Sequence, residues 1–241
     1  MFDRRQVLVG AAGTAGMLAA EAVAQTSPAP AAAAAPPESP YAVTYIEVEP
    51  AQADAARRLL AHYRDALKDK GALECAVFEQ IGRPNHFVIV ERWPSAKARE
   101  DNAASAPGQA FRSALTPLLI APYDERPHFA LSVGPQSSGT TPATLAGVFV
   151  ITHVDMVPPK REEGVAAVRT LAERSAGTAG NIRFDALVQA SRPNHLTLVE
   201  AWTNAPAQAA HSATNPTRAF RTALGPMSGA LYDERLYTLL K

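Results

Sequence analysis

Apolar and polar positions alternate along the chain in one pattern that occurs twice. Residues 43–50 alternate β-forming residues with polar ones and stop at a proline, as strands commonly do. Residues 51–70 place alanines and leucines at helical spacing with charges between them, and Gly71 is the predicted end of this amphipathic helix. Residues 151–176 repeat the strand and the helix. The pattern therefore predicts two copies of one unit.

The remaining elements of each unit follow the first helix in the same order. Residues 72–81 and 86–93 are predicted to form two strands joined by a turn of sequence GRPN, and the second copy has SRPN there. Ser95 or Asn204 can then cap a helix, and a second helical stretch, interrupted near a proline in each copy, leads into a last strand. The predicted order is β-α-β-β-α-β, which is the ferredoxin-like pattern.

One layer of helices covers only one face of a four-stranded sheet, so the other face needs a second sheet. The second copy supplies that sheet within the same chain. We therefore predict an α+β fold in which two ferredoxin-like (β-α-β-β-α-β) domains pack sheet to sheet as an intrachain pseudo-dimeric α/β barrel. The sequence leaves further association of chains open.

Two sequence motifs fix the offset between the copies. RPNHFVIVERW ends at Trp93, and RPNHLTLVEAW ends at Trp202, 109 residues later. The tetrapeptide YDER recurs with the same spacing. A constant offset of this length marks a duplicated domain and not a short solenoid repeat. The predicted domains are residues 41–133 and 146–241, joined by a Gly/Ser/Thr/Pro-rich linker at residues 134–145.

The N-terminus has the features of an export signal. Arg4 and Arg5 precede an apolar, glycine-rich run and a small-residue triplet that ends at Ala24, which is typical of a twin-arginine signal peptide at residues 1–24. The run is shorter than the ~20 residues of a membrane-spanning helix, so we expect cleavage, a periplasmic or exported location and no stable membrane insertion afterwards. An uncleaved anchor and a basic start without a targeting role are the alternatives. Residues 25–40 are rich in Ala and Pro and predict a disordered tether.

Charge and motif content exclude several classes of protein. The sequence holds 23 basic and 23 acidic residues without a basic stripe, which argues against nucleic acid as a partner. It contains no glycine-rich nucleotide loop, CxxC pair or GxSxG elbow. The single cysteine, Cys75, lies in an apolar strand and is predicted to pack as a small hydrophobic residue. His153, Asp155, Glu200 and His211 are metal-ligand types, but no close pair such as His-x-x-x-His links them, so no metal site is predicted.

A set of short motifs in the second copy resembles a known family. In order, they are THVD at residues 152–155, GNIRFD at 180–185, RPNHLTLVEAW, a histidine nine residues after its tryptophan, NPTRAF and YDERLY. The set resembles the antibiotic biosynthesis monooxygenase family, and the resemblance extends over nearly all of both copies. It implies small dimeric α/β barrels, among them cofactor-free oxygenases of anthrones and quinols and haem-degrading enzymes. Arg112 and Arg221 stand where the haem-degrading branch has its ligand histidine, so no cofactor is predicted.

The two copies differ at positions that the resemblance marks as functional. His211 occupies the usual histidine position of the family, whereas the first copy has Asn102 there. His153 on the first strand of the second copy corresponds to Tyr45. The second copy is therefore predicted to hold the better-kept site, and the first copy a degenerate one.

The resemblance implies oxygenation by dioxygen without a metal or a flavin, and this chemistry sets three tasks. The protein must remove a proton, stabilise the resulting oxyanion and keep water away. We predict His211 or His153 as the base, because a histidine pKa lies near the working pH. Trp202 is predicted to donate to the oxyanion and to form a pocket wall, with Glu200 orienting a histidine. The predicted substrate-binding residues are Phe184, Leu198, Phe220 and Tyr232, with Tyr45, Trp93 and Asn102 from the first copy.

Several of these residues also have a purely structural interpretation. A tryptophan that ends a strand in both copies commonly packs in the core with its N–H on a backbone partner. The acids and arginines of the YDER motifs are interpreted as ion pairs between elements. His86 and His195 follow the Pro-Asn turn and are predicted to serve it, and His211 alternatively points to solvent from an alanine-rich helix.

The leading functional hypothesis is a cofactor-independent monooxygenase that oxidises a hydrophobic aromatic small molecule, such as a quinol or an anthrone, with dioxygen. The alternative is a non-catalytic protein that binds a small ligand in the same barrel pocket. A degenerate first copy is compatible with both hypotheses.

Overall fold

The computed structural model describes residues 40–133 and 147–241. The predicted signal peptide at residues 1–24, residues 25–39 of the predicted tether and the predicted linker at residues 134–145 lie outside this part. Among the described residues, no helix combines the length and the hydropathy that crossing a membrane requires.

Each repeat contains four strands and three helices in the same order. The first repeat consists of β1 (Tyr41–Glu47), α1 (Ala53–Lys68), β2 (Glu74–Gln80), β3 (Arg83–Arg92), α2 (Ala96–Ala104), α3 (Ala106–Leu115) and β4 (Asp124–Ser132). The second consists of β5 (Val148–Asp155), α4 (Arg161–Ser175), β6 (Asn181–Gln189), β7 (His195–Trp202), α5 (Ala205–Ser212), α6 (Asn215–Leu224) and β8 (Asp233–Leu239). The predicted β-α-β-β-α-β order is confirmed in both repeats.

Local sequence signals explain where the later helices begin. Ser95 and Asn204 cap α2 and α5, because each side chain accepts a hydrogen bond from the backbone N–H three residues on, at 3.1 and 2.8 Å. Pro107 and Pro216 lie in the first turns of α3 and α6, where a missing N–H breaks no helical hydrogen bond. The predicted interruption of the second helical element is thereby confirmed.

The two sheets join into one closed, eight-stranded barrel within the described residues. Each repeat forms an antiparallel sheet, in the order β4-β1-β3-β2 and β8-β5-β7-β6. β2 pairs with β8, and β4 pairs with β6, so the free edges of one sheet bond to those of the other. The duplication relates these two seams to each other, which confirms the predicted intrachain pseudo-dimeric α/β barrel. Among the eight described strands, none has an unpaired edge.

Alternation of side chains along the strands builds three separate cores. Along β7, Val199 and Ala201 point into the barrel, whereas Leu196, Leu198 and Trp202 point towards the helices of the second repeat. The barrel core mixes residues of both repeats, and each repeat has its own core between sheet and helices. Cys75, the only cysteine, packs against the helix-side core of the first repeat, and burial raises the pKa of its thiol.

The contact between Phe78 and Phe149 allows a test of whether the barrel core holds the repeats together. Their rings, one from each repeat, lie 4.6 Å apart and are almost fully buried. We expect Phe78→Ala to lower the free energy of unfolding by about 3–5 kcal/mol, because it removes an aromatic ring and leaves a cavity. Urea denaturation measures the loss, and Leu231→Ala, at a side chain that is 91% exposed, should stay within about 0.5 kcal/mol of wild type.

A double-mutant cycle with Phe149→Ala separates the contact between repeats from the burial of each ring. We expect a coupling of about 0.5–1.5 kcal/mol, the usual range for an aromatic pair. Additive losses would contradict a direct stabilising contact between the repeats.

Candidate functional site

The alternation of the strands distributes the predicted site residues over three places. The sheet face under α4–α6 carries Glu200, Trp202 and Leu198, with Phe184 beside them. The equivalent face of the first repeat carries Trp93. His153 and Tyr45 instead lie inside the barrel, with their rings 4.9 Å apart. The two predicted bases, His153 and His211, therefore belong to different compartments.

His211 is buried between the helices and the sheet of the second repeat. It is 5% exposed, so the alternative that it points to solvent is wrong. Its ring stacks on Trp202 at 4.5 Å, and Nε2 lies 3.4 Å from Thr217 Oγ1 and 3.5 Å from Ser175 Oγ. Nδ1 has no hydrogen-bond partner among the described residues. Burial lowers the pKa of the imidazole, so it is neutral near pH 7 and keeps a free nitrogen.

Glu200 binds tryptophan and not histidine. Trp202 Nε1 donates to Glu200 Oε2 at 2.9 Å, so the structural interpretation that gave this N–H a backbone partner is wrong. No hydrogen bond joins Glu200 to a histidine among the described residues. The predicted role of Glu200 in orienting a histidine therefore has no supporting contact. Burial raises the pKa of Glu200 from 4.5 to about 8, against the smaller opposite effect of the tryptophan hydrogen bond.

The first repeat extends the same pair into a longer hydrogen-bonded chain. Trp93 Nε1 donates to Glu91 Oε2 at 2.9 Å, and Tyr63 Oη donates to Glu91 Oε1 at 3.0 Å. Asn102 Nδ2 in turn donates to Tyr63 Oη at 3.4 Å. The Tyr63 ring also stacks on Phe111, with 3.8 Å between centroids. We call this chain of four residues, Asn102, Tyr63, Glu91 and Trp93, the relay.

Sequence reasoning missed Tyr63, although a comparison of the repeats carries a signal for it. Tyr63 of α1 corresponds to Leu171 of α4, because both helices follow a first strand at an offset of 108 residues. A phenol on the inner face of an amphipathic helix needs a hydrogen-bond partner, and Glu91 is the acid that binds it. Leu171 cannot donate, so Glu200 keeps a single side-chain donor.

An apolar cavity of about 260 Å³ opens beside the relay, between α1 and the α2–α3 pair. We call it the first-repeat cavity. Its apolar wall includes Leu59, Ala66, Leu67 and Phe111, and Tyr63 and Asn102 supply hydrogen-bonding groups. Lys70 and His62, both exposed, line it near the surface.

The second repeat has a smaller cleft at the equivalent place. This second-repeat cleft, between α4 and α6, has a volume of about 190 Å³, and His211 is not among its lining residues. Where the first repeat has Leu67, Asn102 and Gly108, the second has Ser175, His211 and Thr217, and both hydroxyls lie within hydrogen-bond range of His211. The first repeat therefore offers room, and the second a buried histidine.

His153 sits at one end of the barrel, in a polar cavity of about 630 Å³. Arg126 Nη1 lies 3.3 Å from His153 Nδ1, and its guanidinium lies 4.7 Å from the Tyr45 ring centre. Because arginine only donates, Nδ1 accepts and the ring proton sits on Nε2. Burial and the Arg126 charge lower the pKa of His153 to about 4. This imidazole is a weak base at neutral pH, which counts against its predicted catalytic role.

The YDER motifs connect strands to helices, as predicted. Glu125 binds Arg99 at 2.8 Å and also pairs with Arg112, and Glu234 binds Arg221 at 2.6 Å. The neighbouring Asp–Arg pairs, Asp124–Arg126 and Asp233–Arg235, line the polar cavity inside the barrel. The interpretation of this motif as ion pairs between elements is confirmed for the glutamates, whereas the aspartate and arginine of each motif pair with each other within one strand. The arginines at the haem-ligand positions are therefore engaged by carboxylates.

The remaining predicted residues lie at the margins of these compartments. Tyr232 contacts Phe220 edge to face at 6.3 Å, and it also lines the polar cavity. His195 Nδ1 pairs with Asp155 at 2.7 Å beside the turn that precedes it. Within residues 40–133 and 147–241, no three His, Cys, Asp or Glu residues are grouped so that they could hold a metal ion.

A sequence profile identifies the family. The antibiotic biosynthesis monooxygenase profile matches residues 41–114 and 147–223, one match in each repeat. Together the matches cover more than half of the chain. The protein belongs to the antibiotic biosynthesis monooxygenase family, and it carries the family domain twice.

Solved structures of other proteins share the whole barrel. A proposed monooxygenase from Lactobacillus acidophilus is similar with a TM-score of 0.66 at 13% identity, over 83% of this chain and 93% of the other. A proposed monooxygenase from Fusobacterium nucleatum gives 0.70 at 14%, over 83% and 92%. An anthrone oxidase-like protein gives 0.67 at 10%, over 83% and 90%. At these identities the similarity shows a shared fold, and a search of curated proteins finds no match.

Glu200→Gln tests the buried acid. The folded-state pKa of about 8 lies above the reference value of 4.5, so the folded protein holds this proton more tightly than the unfolded chain. The contribution to stability is therefore present below about pH 4.5 and is lost as the pH rises to about 8. We expect the stability of E200Q relative to wild type to rise by on the order of 2 kcal/mol between about pH 5 and about pH 8. Urea denaturation across this range measures it.

Glu91→Gln is the matched control. Burial raises the pKa of Glu91 as well, but Trp93 and Tyr63 both donate to its carboxylate and favour the charged form. We expect a smaller rise in relative stability for E91Q. An E200Q variant whose stability follows the same pH curve as wild type would contradict the raised pKa.

Proposed function

We propose that the protein is a cofactor-independent monooxygenase that oxidises a hydrophobic aromatic small molecule, such as a quinol or an anthrone, with dioxygen. We place the reaction in the first-repeat cavity. The observation that carries the proposal is the position of Tyr63 and Asn102, because they line an apolar cavity and also belong to the relay that reaches the buried Glu91. Family membership supports the reaction class.

The size and lining of the cavity fit an aromatic ring. An engineered apolar cavity of roughly 150 Å³ binds benzene, so about 260 Å³ accommodates a substituted aromatic molecule. Phe111 and the leucines of α1 offer apolar contact to its faces. The same apolar lining limits the access of water to reactive intermediates, which oxygenation by free dioxygen requires.

The relay can take up the proton that the reaction must remove. A substrate hydroxyl beside Tyr63 can pass its proton to Tyr63 Oη while Tyr63 passes its own proton to the Glu91 carboxylate. Burial raises the pKa of Glu91 and makes it a stronger base than an exposed carboxylate. The amide of Asn102 has a second N–H with which it can stabilise the substrate oxyanion.

The electrons for oxygenation come from the deprotonated substrate. The substrate anion gives one electron to dioxygen, and the substrate radical and superoxide then combine to form a carbon–oxygen bond. The resulting peroxide takes up a proton and loses water, which leaves one oxygen atom on the oxidised substrate. Both atoms of dioxygen and all electrons are accounted for without a metal or a flavin.

The second repeat supplies a different candidate base. His211 is neutral, stacks on Trp202 and keeps Nδ1 unpaired within the described part of the chain. A proton could move to this nitrogen if a ligand entered the second-repeat cleft. The catalytic role of His211 stays a prediction, and the variants below distinguish it from the relay.

Paired variants of the two repeats test the proposal. Ala110 and its counterpart Ala219 are both exposed on their helices and line the first-repeat cavity and the second-repeat cleft. We expect Ala110→Trp to lower kcat/KM for hydroquinones by on the order of tenfold by filling the cavity, and Ala219→Trp to have little effect. Tyr63→Phe, which breaks the relay, should lower kcat on the order of a hundredfold. Oxygen consumption with hydroquinones and anthrones is the measurement.

Two other outcomes of these measurements would contradict the proposal. Loss of turnover in A219W and His211→Ala, with A110W and Y63F active, would move the reaction to the second repeat. Tight binding of the aromatic compounds without oxygen consumption would overturn the enzyme and favour a non-catalytic ligand-binding protein.

We further propose that the protein meets its substrate outside the cytoplasm, because residues 1–24 have the twin-arginine pattern. We expect replacement of both Arg4 and Arg5 by Lys to abolish export and to retain the full-length precursor in the cytoplasm. Fractionation and N-terminal sequencing of the exported protein measure this, and wild type should begin at Gln25. Export of the double variant, or an intact N-terminus on the exported protein, would contradict the proposal.

A further inference from the structure

The first-repeat cavity and the second-repeat cleft share a charge pattern. Lys70 lines the first, Arg174 lines the second, and no carboxylate is among the lining residues of either. The protein as a whole has as many acidic as basic residues, so a positive lining is not a general property of its surface. Each site therefore combines an apolar wall with one positive charge.

Neither cation is neutralised within the described part of the chain. Lys68 and Arg64, neighbours of Lys70, both pair with Asp65, at 2.9 and 3.1 Å. Lys70 and Arg174 form no ion pair among the described residues. An unpaired ammonium or guanidinium at the edge of an apolar cavity is free to attract an anion.

The two cations occupy different sequence positions. Arg174 of α4 corresponds to Ala66 of α1, whereas Lys70 lies in the turn that follows α1. The repeats thus differ in the residue and in its position, yet each lines its cavity with one basic side chain. A lysine or arginine in the lining is common to both repeats.

The interior of the first-repeat cavity does not favour a cation. Glu91, the carboxylate of the relay, already accepts hydrogen bonds from Trp93 and Tyr63 on its two oxygens and does not line the cavity. Asn102 presents an amide that can donate to an oxygen of the ligand. The charges and donors therefore match a ligand with an anionic group and oxygen acceptors.

We infer that the ligand of the first-repeat cavity is an aromatic acid, whose ring lies against Phe111 and the leucines while Lys70 binds its acid group. For turnover this inference rests on the proposed function, but the binding of an aromatic acid does not. The acid group stays at the solvent side, where it keeps part of its hydration, so burial of a charge is avoided. Lys70 is exposed and flexible, and its contribution is that of a salt-screened surface pair.

Equilibrium binding of naphthoate and naphthamide tests the inference without chemistry. The two probes have the same ring, and only naphthoate carries a charge. We expect wild type to bind naphthoate more tightly than naphthamide, and Lys70→Met to weaken naphthoate binding about fivefold without the same loss for naphthamide. Higher salt should reduce the preference for naphthoate. Titration calorimetry on the full chain gives both dissociation constants.

Two control variants remove a positive charge elsewhere. Lys97→Met deletes an exposed lysine of α2 that pairs with Asp101, and Arg174→Met deletes the cation of the second-repeat cleft. Both should keep the tighter binding of naphthoate than of naphthamide at the first-repeat cavity, because Lys70 is intact in each. Equal binding of the two probes, binding of neither, or an unchanged naphthoate affinity in K70M would overturn the inference.

Turnover separates this inference from the proposed function. Gentisate is a hydroquinone with a carboxylate, and gentisamide is its neutral analogue. We expect K70M to lower the ratio of kcat/KM for gentisate to that for gentisamide about fivefold. Selective naphthoate binding without oxygen consumption on either hydroquinone would overturn the proposed monooxygenase and keep the aromatic-acid ligand. Oxidation of both hydroquinones with equal kcat/KM would overturn the aromatic-acid ligand and keep the monooxygenase.

Discussion

The alternation of side chains along the strands of a closed barrel is the constraint on which the other features of this protein depend. Once the seams β2–β8 and β4–β6 close the ring, each strand residue faces either the barrel interior or a layer of helices. This places His153 in a polar interior compartment and Glu200 in an apolar one under the helices. Chemistry in one compartment is separated from the other by the thickness of a sheet.

One difference in sequence between the repeats changes the hydrogen bonding of an equivalent buried glutamate. Both repeats keep a glutamate that accepts a hydrogen bond from the tryptophan two residues on, at 2.9 Å. In the first repeat Tyr63 donates a second hydrogen bond to the glutamate. In the second repeat the equivalent residue is Leu171, which has no donor. Burial raises the pKa of both acids, and in the first repeat two donors instead of one oppose that rise. The sheet supplies the acid, and the helix packed on it adjusts the acid strength.

The sequence was sufficient for the fold and for the limits of most elements. Periodicity, the capping residues Ser95 and Asn204 and the repeat offset predict the strands, helices and barrel, because these depend on local pattern. Which candidate site residues lie close together was not predictable in the same way. His153 and His211 are equally plausible bases until the side-chain direction along β5 and the packing of α5 are known, and Tyr63 carries no motif. Its role follows from a partner 28 residues away that only the packed structure brings near.

The covalent joining of the two halves has a consequence for how such a barrel can change. In a barrel assembled from two identical chains, every substitution appears on both sides of the symmetry axis, so a cavity gained in one half is gained in the other. Here the halves are encoded separately, so one repeat can hold a cavity of about 260 Å³ while the other holds a cleft of about 190 Å³ and a buried histidine. The single chain thereby permits a division of labour that symmetry would forbid.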